Sequence, residues 1–410
     1  MNLRKAPWTS YASPMPCVVE LSRLSFHDEV LGATNNPVNR ISERKFIIFE
    51  TALDVLLSKC QKCSEKVVHV KKRCDGTLLS VETACARGHV CSWYSQPLLN
   101  RKPLGNILLS AGILFSGSNI KKTLRLLTSV GISCFSYRTF FNVQGAFLLP
   151  AIEKVWQHHQ TVMLEAAQGQ GLTLAGDGRA DSPGHSAKYG TYTMLDAARM
   201  QVLHIETVQS NEVANSHAME LEGLKRALQF LRNQGMVVHR LITDRHVQIQ
   251  CYMRKENPDI EHLYDVWHVA KGIKKKLTAA SKLKAAKDLG DWVKAIINHL
   301  YWCAMSSRDD PRQILPKWTS LPRHIANIHQ HDDPLFPQCA HGEMRRTKWL
   351  PQDSSAYTKL KEIVLAKNLL KDLPQLSTVE QTYAVECFHS TLNHFAPKST
   401  HFTYACMKAR

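Results

Sequence analysis

The chain has 410 residues and a formal net charge of +17, with 44% apolar and 21% charged residues. That balance excludes a mostly disordered or collagen-like chain and favours a polyanionic partner such as nucleic acid. No stretch nears the roughly eighteen apolar residues of a membrane span, and residues 1–30 lack the apolar core and cleavage site of a secretory signal.

At roughly 150 residues per domain, several domains are expected. Residues 1–45 carry Pro7, Pro14, Pro16 and Pro37 with little periodicity and read as an extended leader. Residues 46–97 open on Phe46 to Phe49, pass Leu53, Leu56 and Leu57, and run into a cysteine cluster. Residues 98–165 are helical in pattern. Ile107, Leu108, Ala111, Leu114 and Phe115 make one stripe, and Ile120, Leu124, Leu127 and Val130 a second that stops at Gly131. Ser136 caps a third helix over residues 137–142, and short helices joined by tight turns have helix-turn-helix geometry.

Residues 166–270 alternate strands and helices. Strands are predicted over 172–177, 189–195, 201–208, 236–243 and 260–264. A helix opened by Asn215 or Ser216 and closed by Gly235 falls between the third and fourth strands. A second helix follows over 245–255, and a long one follows the last strand. The order β-β-β-α-β-α-β-α predicts an α/β fold with a mixed sheet. Residues 271–376 are mainly helical, and residues 377–410 hold a final amphipathic helix that opens at a Ser377–Glu380 capping box.

Asp177 and Asp244 each close a predicted strand, and Gly176 and Gly178 flank the first. Carboxylates on rigid strand ends suit two-metal phosphoryl chemistry, although single strand-end aspartates also serve as turn residues. Asp265 and His268 sit three apart at a strand-helix junction, a spacing that a helix cap with a satisfied histidine also explains. Glu386 and His389 share one face of the final helix.

The segments Gly176-Asp177-Gly178-Arg179-Ala180-Asp181, Thr243-Asp244-Arg245-His246, Asp265-Val266-Trp267-His268 and Glu386-Cys387-Phe388-His389 resemble the catalytic motifs of eukaryotic DDE cut-and-paste DNA transposases. The likeness is to the hAT, P-element and Kolobok groups with their D-x-x-H signature, and it spans residues 45–400. It implies an RNase H-like core interrupted by a helical insertion domain, which the long stretch between Asp244 and Glu386 accommodates. It also implies a triad of Asp177, Asp244 and Glu386 holding two Mg²⁺ or Mn²⁺ ions, with Asp265 and His268 beside it. Asp181 rivals the first position and Glu380 the last. The implied work is strand cleavage and transfer on transposon ends and target DNA, in the nucleus, by a protein that could act as a homo-oligomer. The alternative is a domesticated, transposon-derived DNA-binding protein without catalytic activity. The missing THAP-type finger before residue 45 and the short tail after Glu386 favour this alternative.

Twelve cysteines are too sparse for a disulfide scaffold, but five lie between residues 60 and 91. Cys60-x-x-Cys63 and Cys85-x-x-x-His89-x-Cys91 have zinc-ribbon spacing, with His89 or Cys91 as the fourth ligand and Cys74 outside the set. A looser group holds His324, His329, His331, Asp332, Cys339 and His341. A second zinc is conceivable there, and a histidine-rich surface is the preferred account. Arg138, on the helix-turn-helix segment, and Lys271, Lys274, Lys275 and Lys276 are candidate nucleic-acid contacts, although lysine runs are commonly solvated helix faces.

Overall fold

The computed structural model describes residues 40–183, 186–342, 348–377 and 382–410. Most of the expected leader, together with Glu380, therefore lies outside the described residues. The chain divides into two compact units, residues 1–147 and 148–410. The division falls inside the helical segment expected over 98–165.

In the first unit, helix α1 (Glu50–Leu56) precedes an antiparallel sheet of β1 (Val67–Asp75), β2 (Leu78–Cys85) and β3 (Val90–Tyr94). Its apolar core is small, built on Leu53, Leu57 and Val81. A short hairpin, β4 (Leu98–Leu99) and β5 (Lys102–Pro103), leads to α2 (Leu104–Phe115), α3 (Ile120–Ser129) and α4 (Tyr137–Val143). Asn119 caps α3 and Ser136 caps α4 through their side chains. Gly131, at φ +74°, closes α3 in the left-handed conformation that a side chain disfavours. Ile113, Phe135 and Phe140 join these helices.

The second unit opens with α5 (Leu149–Ala167), whose Gln160 donates to the Leu203 carbonyl at 2.8 Å. Its sheet comprises β6 (Gly171–Ala180), β7 (Tyr189–Asp196), β8 (Gln201–Gln209), β9 (Val237–Thr243) and β10 (Glu261–Tyr264) in the order β10-β9-β6-β7-β8. β6, β7 and β8 are antiparallel, whereas β9 and β10 run parallel to β6, so the sheet is mixed as predicted. Helix α6 (Ser216–Asn233) buries Leu224, Ala227, Leu228 and Leu231 against it. α7 (Val247–Glu256) connects β9 to β10, and Ile249 and Met253 join the same core.

Beyond β10, α8 (Val266–Ala280), a 3-10 segment (Lys284–Trp292), α9 (Val293–Met305), α10 (Ile314–Thr319), α11 (Leu321–Ile325), α12 (Ser355–Val364) and α13 (Lys367–Asp372) share a second core around Trp318, Leu300 and Leu360. The chain then returns to the sheet edge, where Ser377 N donates to the Tyr264 carbonyl at 2.9 Å. The capping box expected from Ser377 to Glu380 runs into residues outside those described; the closing helix α14 is Tyr383–Phe395, and Thr382 just before it is tied to Asp265. A short α15 (Tyr404–Lys408) follows. Among the described residues no helix is long and apolar enough to cross a membrane.

Candidate functional site

β6 and β9 pair in parallel through Thr173–Arg240, Leu174–Leu241 and Ala175–Ile242. Continued two residues, that register sets Asp177 beside Asp244, where β9 has ended and the strand pair opens. Asp177 does not end its strand, as the Gly-Asp-Gly sequence suggested. Antiparallel pairing with β7 carries β6 on to Ala180, with Asp177 opposite Thr193.

The flanking glycines are required by neighbours within the protein. A Cβ at residue 176 would stand 2.6 Å from the Tyr192 hydroxyl, and one at residue 178 would stand 2.6 Å from Cγ of Glu220. Glu220 is the site residue that sequence reasoning missed. It lies on α6 one turn before Leu224, in the stripe that packs on the sheet, where an apolar side chain is the usual occupant. An acid at that core spacing was the available signal.

Burial, with Asp244 and Asp177 adding repulsion, pushes the Glu220 carboxyl up to about 8. Asp244 is also raised, by burial first and then by Asp177, against the pull of His268 and His246. Oδ1 of Asp244 is buried without a hydrogen-bond partner, and so is the Tyr192 hydroxyl. Burial and the Glu220, Asp177 and Asp244 carboxylates hold that phenol well above its ordinary range. Three crowded acids and two orphaned oxygens describe a pocket short of positive charge.

α14 brings the third expected acid. Its Val385 packs on Ala175 and Leu195 of the sheet. Glu386 Oε1 then stands 3.0 Å from His268 Nε2, and His389 Nδ1 stands 3.3 Å from Asp177 Oδ2. His389 Nε2 is 2.9 Å from the Thr193 hydroxyl, and Gly178 N donates to Asp177 Oδ1 at 2.8 Å. His268 thus stands 3.0 Å from Glu386 and close enough to Asp244 to lower its carboxyl.

Asp265 takes the helix-cap place that its spacing also allowed, at the start of α8. It is 1% exposed, with Oδ1 accepting from Trp267 N at 2.6 Å and Oδ2 accepting from the amide and hydroxyl of Thr382. Both oxygens are used in joining the start of α8 to the start of α14, so Asp265 positions His268 and Glu386 without facing the acids. Arg179 secures the far end of α14 through Asn393 Oδ1 and the Ala396 carbonyl. Arg245, next to Asp244, is paired with Asp372 at the end of α13. Asp181 closes the turn between β6 and β7 by accepting from Lys188 N at 3.0 Å, which removes it as the rival first acid.

The donor set at this site is all oxygen, apart from the two histidines, and suits a hard divalent cation. The orphaned Asp244 Oδ1 is an acceptor such an ion would satisfy. Lys271 lies 4.6 Å over the Trp267 ring, and Lys274, Lys275 and Lys276 are exposed along α8. A basic, partly aromatic helix therefore leads away from His268. Arg138 is exposed on α4 in the first unit.

In the first unit, Cys60, Cys63, Cys85 and His89 place ligand atoms all within 4.8 Å of one another, so His89, not Cys91, completes the set. Cys91 sits in β3 opposite Thr83, and Cys74 is exposed on β1. The Cys63–Cys85 sulfur separation is 3.7 Å, far beyond a disulfide bond of about 2.05 Å. It is close to the edge of about 3.8 Å that tetrahedral Zn–S bonds of about 2.3 Å would span. The Lys62 amide holds the Cys60 thiol down to about 6. Cys63 is raised: the Glu65 amide lowers it, but desolvation and the neighbouring sulfurs outweigh that pull. These four residues could hold a metal ion such as zinc.

The chain matches no family model and no curated protein.

Proposed function

We propose that the second unit is an RNase H-like core of the DDE transposase kind, carrying out two-metal phosphodiester hydrolysis and strand transfer on DNA. The strand order with three antiparallel leading strands, the parallel β9 and β10, and the helical insertion before a closing helix support that reading. The observation that carries it is the meeting of Asp177, Asp244 and Glu220, remote in sequence, at one end of a parallel strand pair, with Glu386 brought to His268 beside Asp244. Two divalent ions stand about 3.5–4 Å apart in such sites and require spread carboxylates. When bound, they activate a water or a DNA 3′-hydroxyl and stabilise the leaving oxygen.

The chain's own residues supply the rest. Asp177, Asp244 and Glu386 hold the ions, and Glu220 adds the fourth carboxylate from α6. His268 and His389 orient the Glu386 and Asp177 carboxylates from 3.0 and 3.3 Å away. The exposed lysines of α8, and Arg138 on α4, would meet phosphates through contacts that weaken with salt. The net charge of +17 agrees with a DNA partner and a nuclear location. The Cys60–His89 set would hold a structural zinc that stabilises a ribbon-like module too small for a core of its own.

The test uses purified full-length protein with Mg²⁺ or Mn²⁺ on supercoiled plasmid and on oligonucleotides with free 3′-hydroxyls. Nicking or joining is expected, and Asp244→Asn should lower it by about a thousandfold. Undiminished activity in that variant would remove the assignment. The histidine partners already seated on Asp177 and Glu386 favour a second reading, a domesticated DNA-binding protein. That protein would show salt-sensitive DNA binding and no metal-dependent nicking in the unaltered chain.

A further inference from the structure

Residues 326–354 link α11 to α12 and, among those described, form neither helix nor strand. Among its described residues the large buried apolar side chains are Phe336 and Leu350. Its backbone nevertheless doubles back. Cys339 N donates to the His329 carbonyl at 3.0 Å, His331 N donates to the Pro337 carbonyl at 2.8 Å, and Gln330 bridges Gln338. Leu350 N reaches the Ile325 carbonyl at 3.0 Å.

That doubling brings His329, Cys339 and His341 to His324 in the last turn of α11, with ligand atoms of all four within 4.8 Å of one another. His341 Nε2 is 3.3 Å and Cys339 Sγ is 3.5 Å from His324 Nδ1. A tetrahedral zinc with Zn–N of about 2.05 Å and Zn–S of about 2.3 Å has edges of about 3.3 Å between nitrogens and about 3.6 Å between nitrogen and sulfur.

The outer hydrogen bonds fix which atoms face inward. His341 Nδ1 lies 2.8 Å from the Gly342 carbonyl, which can only accept, so Nδ1 carries the proton and Nε2 turns a lone pair to the centre. His329 Nε2 lies 3.1 Å from Asn327 Oδ1, which leaves Nδ1 facing inward, buried and without a partner. Two lone pairs therefore turn toward the His324 and Cys339 side chains, and a cation at the centre would satisfy all four. An acceptor behind the imidazole, as at His329 and His341, is also the usual support of a metal-bound histidine. His331 Nε2 stands 3.2 Å behind the Cys339 sulfur with its ring stacked on Phe336, and Asp332 pairs with Arg323 at 2.6 Å. Four of the six residues singled out in the sequence therefore converge, and the other two brace them. The preferred sequence account, a plain histidine-rich surface, is replaced by a built cluster.

We propose that His324, His329, Cys339 and His341 hold a tetrahedral zinc ion that clasps residues 326–342 to the helical part of the second unit. Three nitrogens and one sulfur suit zinc over Mg²⁺ or Ca²⁺, and four protein ligands mark a structural ion. The site is walled by Trp349, whose ring lies 5.9 Å from His324 and 5.6 Å from His329, and which packs on buried Trp292. The clasp thereby joins the loop to the core of the insertion. It does not depend on the phosphoryl-transfer reading.

Metal analysis of the full-length chain purified without chelator tests it, combined with zinc X-ray absorption. The unaltered protein should carry about two zinc ions, and Cys339→Ser or His341→Ala about one. Cys60→Ser should retain an ion whose shell is one sulfur and three nitrogens. No ion with a shell of one sulfur and three nitrogens in the unaltered chain, or a count unchanged by Cys339→Ser, would overturn the proposal. Should Cys339→Ser fail to fold, the Cys60→Ser spectrum decides alone, and a sulfur-rich shell or no zinc there would reject the clasp.

Discussion

The Cys/His clusters and the carboxylate cluster are both gatherings of metal-binding side chains, but they differ in how far they have closed. Cys60, Cys63, Cys85 and His89 already sit within a zinc ion's reach of one another, as do His324, His329, Cys339 and His341. Each set lies in a stretch with few buried apolar side chains among the described residues. Burial and mutual repulsion raise Glu220 and Asp244 beside Asp177, while His268 and His389 stand 3.0 and 3.3 Å from Glu386 and Asp177. Closed soft-donor sets suit permanent ions that support the fold, whereas a spread set of acids suits ions that come and go with a reaction.

Breaking a closed set should cost most. Cys60→Ser should abolish amide-exchange protection across β1, β2 and β3, since Leu53, Leu57 and Val81 are a small core to hold three strands. Protection in β6 to β9 should be unchanged. If the first sheet stayed protected, the metal would not be what holds it together.

A middle-sized effect is expected where the acids are held from behind. Asp265→Ala removes the α8 cap and leaves the Thr382 amide and hydroxyl unpaired, which should destabilise the second unit by about 2–4 kcal/mol in urea titrations. Any metal-dependent activity should fall as well, with zinc content intact. A neutral substitution here would mean that α14 is positioned by Arg179 and Val385 alone.

The smallest effect sharpens the contrast through pH. Glu220 takes up its proton near 8 in the folded chain, against an ordinary value of 4.5. Between those values the native state keeps a proton that the unfolded chain has released, so its contribution is full below the lower value and fades as pH rises. Without Mg²⁺, the melting temperature of the second unit should decline from about pH 5 to about pH 8. Glu220→Gln should flatten that slope, and Mg²⁺ should raise the melting temperature more at the alkaline end. An equal slope in the variant would show that Glu220 is not the group responsible.

Much of the sheet was readable because hydrophobic alternation and turn residues report it directly. β7, β8 and β9 fall within a residue of expectation. Local signals misled where tertiary pairing decides. The strand was expected to end at Asp177, yet pairing with β7 continues to Ala180 opposite Gly190. Thr382 caps no helix through its own side chain, because its hydroxyl is taken by Asp265 far upstream. Glu220 was hidden by the expectation that acids on a helix face water. The spacing from His324 to His341 was too irregular to read, because a doubled-back loop, not a fixed knuckle, brings those side chains together.

The anchoring of α14 has a consequence for biosynthesis. Its position depends on Thr382 meeting Asp265 and on Asn393 meeting Arg179, partners made much earlier on the ribosome. A nascent chain can thus complete its sheet and insertion before Glu386 takes its place, which makes the carboxylate site one of the last parts of the second unit to form.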